Sequence, residues 1–211
     1  MTILALEFSS ERRSVALARA GAVLAEAVEQ TGGRSTNAFG LIQNVLADAK
    51  LTREEIEAIA VGLGPGSYTG IRAAIAVAQG WQLARGVKLL GVSSAEAIAA
   101  QAQAEKLFGL VNVVIDAQRG EFYVADWEIS AVAVKEVSPL RIVAEDEVNA
   151  LKSAGEICLG PEQKKPFFPP AAQVAWLASG RLDFVSGERL EPIYLRETTF
   201  VKAPVKSGFA A

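Results

Sequence analysis

Apolar positions along the chain fall into short runs and helical stripes that follow one another in a fixed order. Residues 3–8, ILALEF, are an apolar run ending at an acid. A polar stretch, Ser9-Ser10-Glu11-Arg12-Arg13, separates it from a second run at 15–18, and Ala20-Gly21 turns the chain into a third strand-like segment, AVLAEAVE. From 35 to 49, Phe39, Ile42, Leu46 and Ala49 recur at helical spacing, with Leu41 and Val45 widening the stripe. Residues 57–61 read as a strand, 70–85 as a helix stopped by Gly86, VKLLGV as a strand, and 93–104 as a helix opened by a Ser93/Glu96 capping box. The second half restarts the pattern. A run at 110–115 ends at Asp116, and a polar turn leads to a strand at 121–127 and an alternating strand at 131–137. A helix at 144–153, a strand at 157–159 and a helix at 171–180 follow. Three strands, helix, strand, helix thus occurs twice, which predicts an α/β protein of two stacked subdomains, residues 1–106 and 107–211, each a sheet with flanking helices.

The sharpest local signal is VGLGPGSYTGIRAAIAVAQG, 61–80, a strand, tight turn and helix. Gly62, Gly64 and Gly66 surround Pro65, so the turn is permissive at the glycines and stiff at the proline. Ser67 and Thr69 stand where an N-cap is wanted, and the free N–H groups of a helix start favour an anion. An equally direct reading is a turn that lets the helix pack tightly on its sheet. The letters exclude a Walker loop, a G-x-G-x-x-G fingerprint and a G-x-S-x-G nucleophile elbow. If the halves stack about a pseudo-twofold, Glu7 and Asp116, each ending the first strand of its half, face one cleft with this loop. The candidate anion or nucleotide site is then Glu7, Ser9, Ser10, Gly64, Gly66, Ser67, Thr69, Gly70 and Asp116.

Histidine is absent from all 211 residues. That removes Ser-His and Cys-His nucleophiles and the H-E-x-x-H zinc site together, leaving carboxylates, hydroxyls, Lys/Arg and backbone amides. A net charge of −3 with scattered Lys and Arg argues against strong nucleic-acid binding by the chain alone. One cysteine, Cys158, precludes an internal disulfide and reads as a small buried residue in a reducing compartment. No signal-like start and no long apolar stretch occurs, so the expectation is a cytoplasmic protein with no membrane contact.

ILALEFSS, GLGPGSYTGIRAAIAVAQG, VVIDAQRGEFY and EPIYLR, in this order, resemble the TsaB (YeaZ) family of tRNA threonylcarbamoyladenosine biosynthesis. The resemblance implies an actin-like fold of two ribonuclease H-like subdomains and a non-catalytic subunit without metal or cofactor. It implies pairing with the catalytic paralogue TsaD, contact with the ATPase TsaE and with tRNA only through the complex, and a homodimer when the chain is alone. In this family the partner surface is built by the first two helices. On the helical stripes this selects Phe39, Ile42, Leu46, Ile71, Ile75 and Ala78, so that glutamates at Leu46 and Ile75 are expected to block the partner and spare the monomer. Two departures stand out: Glu7 replaces the family's aspartate, and the histidine many members carry near Arg34 is missing. The alternative is a small-molecule kinase or ATPase using the 64–70 loop with Glu7 and Asp116. The family's older metalloprotease label finds no ligands or nucleophile–base pair.

Overall fold

A computed structural model describes residues 1–30 and 37–195. The helix start expected at Ser35, the neighbourhood of Arg34 and the tail from Lys202 lie outside the described residues. Strands β1 (Thr2–Glu7), β2 (Arg12–Arg19), β3 (Ala22–Gln30), β4 (Ala58–Gly62) and β5 (Lys88–Val92) form one sheet in the order β3-β2-β1-β4-β5. Strands β6 (Gly109–Gln118), β7 (Glu121–Ile129), β8 (Val134–Ala144) and β9 (Ile157–Leu159) form another in the order β8-β7-β6-β9. The first strand of each sheet pairs antiparallel with the second and parallel with the strand after the first helix, so both sheets are mixed and share one topology. The repeat read from the apolar pattern is a repeat of structure.

Among the described residues five α-helices cover the sheets: α1 (Ala38–Ala49), α2 (Tyr68–Arg85), α3 (Ser94–Ala104), α4 (Glu145–Ser153) and α5 (Ala171–Ser179). Helices α1 and α2 bury Leu41, Ile42, Val45, Leu46, Ile71 and Ile75 against Leu4, Leu6, Val15, Leu17, Ile59 and Val61 on one face of the first sheet. The opposite face is lined by Ala5, Ala16, Ala18, Ala58 and Ala60, and it receives α5 through Ala171, Val174, Ala175 and Ala178. Small side chains on both sides let helix and sheet approach closely, which accounts for much of the chain's alanine. Helix α3 crosses the other way and packs Ala95, Ile98, Ala99 and Ala102 on Val111, Val113, Ile115 and Trp127 of the second sheet. Each half therefore supplies a helix to the other's sheet.

Three local expectations need correction. Strand β8 starts at Val134 rather than 131, because Ser130 and Ala133 close a turn (Ser130 N–H to Ala133 O, 2.8 Å), and it runs through Pro139, which an edge strand tolerates. No cap bond comes from the Ser93 side chain; Glu96 turns instead towards the Arg181 guanidinium, 4.0 Å away. Cys158 is half-buried on the edge strand β9 rather than enclosed.

Candidate functional site

The 62–70 loop is built against the turn between β1 and β2, and its glycines are required there by backbone proximity. A Cβ at Gly66 would overlap the Ser9 carbonyl oxygen, and one at Gly70 the Phe8 carbonyl oxygen. The Ser67 N–H donates to the Ser9 carbonyl at 2.6 Å, and the Gly70 N–H donates to the Ser67 hydroxyl at 3.3 Å as the N-cap of α2. Two donors of this helix start are thus spent inside the protein.

Glu7 ends β1 with its carboxylate fully buried beneath the loop. It accepts from the Ser9 N–H at 2.7 Å and from the Ser94 hydroxyl at 2.8 Å, and the Ser94 oxygen accepts from the Gly64 N–H at 3.1 Å. A Cβ at Gly62 would strike this carboxylate. Desolvation raises the Glu7 pKa above the ordinary 4.5, and the bonds from Ser9 and Ser94 only partly offset it. The folded state therefore binds the Glu7 proton more tightly than the unfolded chain does. The stability Glu7 contributes is full below 4.5 and declines as pH rises through the folded value. Glu7→Gln is expected to flatten that decline, so that its stability relative to the parent rises between pH 4 and pH 8. Urea midpoints of both proteins at the two pH values test it; a constant difference would refute it.

Of the candidate anion site, Ser9, Ser10, Gly66, Ser67 and Asp116 line a cleft of about 570 Å³ between the two halves, together with Glu11, Arg13, Tyr68, Tyr123 and Glu162. Glu7, Gly64 and Gly70 are buried outside its lining, and Thr69 is exposed outside it. Asp116 accepts from the Gln118 N–H at 2.7 Å, so it caps the β6–β7 turn. Desolvation raises Glu162, with Asp116 and Glu11 adding to it. Three carboxylates against Arg13, whose Nε donates to the Ser10 carbonyl at 3.4 Å, make this cleft hostile to a polyphosphate. Among the described residues no group of three or more acids or cysteines could hold a metal ion, and no helix is long and apolar enough to cross a membrane.

The six residues selected on the first two helices separate into two faces. Leu46, Ile71, Ile75 and Ala78 are buried in the monomer's own core, Ile42 is buried there too but also lines the groove on the other side, and only Phe39 stands out, 67% exposed. Helical spacing detects the stripe that meets the sheet, so it found the inner face. The outer one is a groove of about 600 Å³ between α1 and α2, where Phe39, Val77, Trp81 and Ala84 supply apolar walls and the Arg85–Glu54 ion pair (3.3 Å) a polar rim. Leu83 projects beside it on α2, 89% exposed. Gly80 lies in the groove's lining with no atom within 4 Å of where a Cβ would stand. A mid-helix glycine costs about 0.5–1 kcal/mol relative to alanine, and nothing inside the monomer requires this one. Gly80 and Trp81, both off the apolar stripe, were the available sequence signals.

Residues 31–182 match the family model described as TsaD: tRNA N6-adenosine threonylcarbamoyltransferase. The chain is 30% identical over 140 residues to the tRNA threonylcarbamoyladenosine biosynthesis protein TsaB of Bacillus subtilis (strain 168), covering 66% of this chain and 60% of that one. It is 34% identical over 128 residues to the protein of the same description from Escherichia coli (strain K12), covering 61% and 55%. The matched stretch thus spans less than two thirds of either curated relative. Among solved structures, YeaZ from Pseudomonas aeruginosa superposes with a TM-score of 0.77 at 25% identity, covering 92% of this chain and 99% of that one.

Proposed function

The chain belongs to the TsaB (YeaZ) family of TsaD-like proteins, and we propose that it serves threonylcarbamoyladenosine formation on tRNA as a non-catalytic subunit that docks the catalytic paralogue TsaD. The observation that carries this reading is the outward groove of α1 and α2, with exposed Phe39 at its mouth and unrequired Gly80 in its lining. An apolar groove of this kind is what a partner helix fills. TsaE and tRNA join through the assembled complex, in the cytoplasm. A second copy of the chain takes the groove when TsaD is absent, and residues 1–106 and 107–211 are the two ribonuclease H-like subdomains. The kinase or ATPase alternative is disfavoured because Glu7 is buried outside the cleft on Ser9 and Ser94, and because two donors at the start of α2 are already used by Ser9 and Ser67.

Gly80→Leu and Phe39→Glu are the test. Neither side chain is needed by the monomer, so both variants keep the parent's melting temperature to within a few degrees. Filling the groove, or charging its mouth, is expected to weaken binding to TsaD from the same organism by about 2 kcal/mol or more, roughly thirtyfold, read by calorimetric titration. Parent-like affinity in both variants would remove the groove as the docking surface.

A further inference from the structure

Beside β9, the edge strand of the second sheet, lies a cavity of about 400 Å³ that shares no residue with the cleft or with the α1–α2 groove. Lys152 from the end of α4 and Lys164 and Lys165 from the loop after β9 stand around it, with Cys158 and Leu159 on the strand side and Phe167 as an aromatic wall. In a chain of net charge −3, this lining sets three lysines against a single acid, Glu156. That acid is already engaged, since the Asn112 Nδ2 donates to it at 2.9 Å. Lys165 pairs with Glu105 at 3.2 Å on the surface, where such a pair is weak, and among the described residues no carboxylate pairs with Lys152 or Lys164. The loop that carries two of the lysines is stiff. Pro161 and Pro166 bracket them, and the Gly160 carbonyl accepts from both the Gln163 N–H at 3.3 Å and the Phe167 N–H at 2.9 Å. Within this curl the Gln163 Nε2 is buried with no acceptor among the described residues, a cost that an anionic oxygen reaching it would relieve.

We propose that this cavity binds a small phosphate-bearing molecule, its phosphate among the lysines and its remainder against Phe167. Ammonium groups hold phosphate as point charges, whereas a carboxylate is better matched by the planar fork of an arginine, and no arginine lines the cavity. Its volume is that of a small-molecule site, with apolar walls and a few polar groups to fix orientation. The closed curl presents Lys164 and Lys165 before any ligand arrives, which lowers the ordering cost of binding. Cys158, the one cysteine of the chain, sits in the lining and so reports occupancy through its thiol. The cavity lies on the second sheet and the docking groove on the first, so the inference does not rest on what fills that groove.

The probe is inorganic pyrophosphate, titrated calorimetrically into the full chain in a phosphate-free buffer without divalent metal. In parallel, alkylation of Cys158 by the neutral reagent iodoacetamide is followed by intact mass. Saturable binding and slower alkylation of Cys158 are expected. Lys152→Gln combined with Lys164→Gln is expected to weaken binding about tenfold or more, since each change removes a charge-assisted bond to the phosphate. Lys135→Gln, on the opposite edge strand β8, leaves it unchanged, and circular dichroism checks that these variants are folded. Phe39→Glu is expected to keep pyrophosphate binding, so loss of TsaD docking and loss of this site report separately. No saturable binding, binding indifferent to the two lysine changes, or binding that leaves Cys158 alkylation unaltered overturns the site. Sulfate competing as strongly as pyrophosphate overturns phosphate as its ligand.

Discussion

A chain carrying Leu46→Glu and Ile75→Glu does not fold. Both side chains are 6% exposed and lie in the cluster that joins α1 and α2 to the first sheet. Each substitution forfeits the transfer of a large aliphatic group and places a carboxylate within an apolar cluster. Together they cost well over 5 kcal/mol, which is comparable with the whole stability of a domain. The check is far-ultraviolet circular dichroism and a urea titration of the isolated chain, with Phe39→Glu as the exposed control. A double variant that melts within a few degrees of the parent would show that α1 and α2 can turn their inner faces outward. On the same helices, then, charge at Phe39 reports on docking and charge at Leu46 or Ile75 reports on folding.

Gly70→Ala is expected to be among the most damaging single-methyl changes in the loop, costing about 3 kcal/mol. Its Cβ would overlap the Phe8 carbonyl oxygen, a backbone atom that cannot rotate away, and Phe8 itself is fully buried. Relief requires α2 to move off the β1–β2 turn, which breaks the Ser67 N–H bond to the Ser9 carbonyl as well. Gly80→Ala on the same helix meets nothing and is expected to stabilise by about 0.5–1 kcal/mol. A urea series of the two variants against the parent separates them; equal midpoints would mean the loop has slack that its packing does not reveal.

Much of the architecture could be read from the apolar pattern because each sheet is built from strands with their own turn signals and each helix has one strong stripe. The repeat extended to details no spacing rule reaches: a Cβ at Gly62, which ends β4, would strike the Glu7 carboxylate at the end of β1, and after β9 a Cβ at Gly160 would overlap the Val114 carbonyl of β6. The same reliance on stripes selected mostly buried residues for the partner surface, since periodicity in α1 and α2 reports the sheet beneath them. Glu7 was drawn into the cleft for a related reason. An acid at a strand end usually meets solvent, and that Ser94, 87 residues away, closes over it depends on α3 being set across the two halves. The Ser93 cap failed where Glu96 found Arg181.

The exchange of helices between the halves bears on how the chain can be divided. Helix α5 covers the alanine face of the first sheet, and α3 covers the inner face of the second. A fragment ending near residue 106 would leave Ile3, Ala5, Ala16, Ala18, Ala58 and Ala60 bare, while the complementary fragment would lack the lid over Val111, Val113 and Trp127. The two sheets with their helices are thus repeats in topology without being autonomous in folding, and unfolding one strips the other. Such a chain denatures in one concerted transition, and backbone amides of β1 and of β6 exchange with solvent at a common, global free energy.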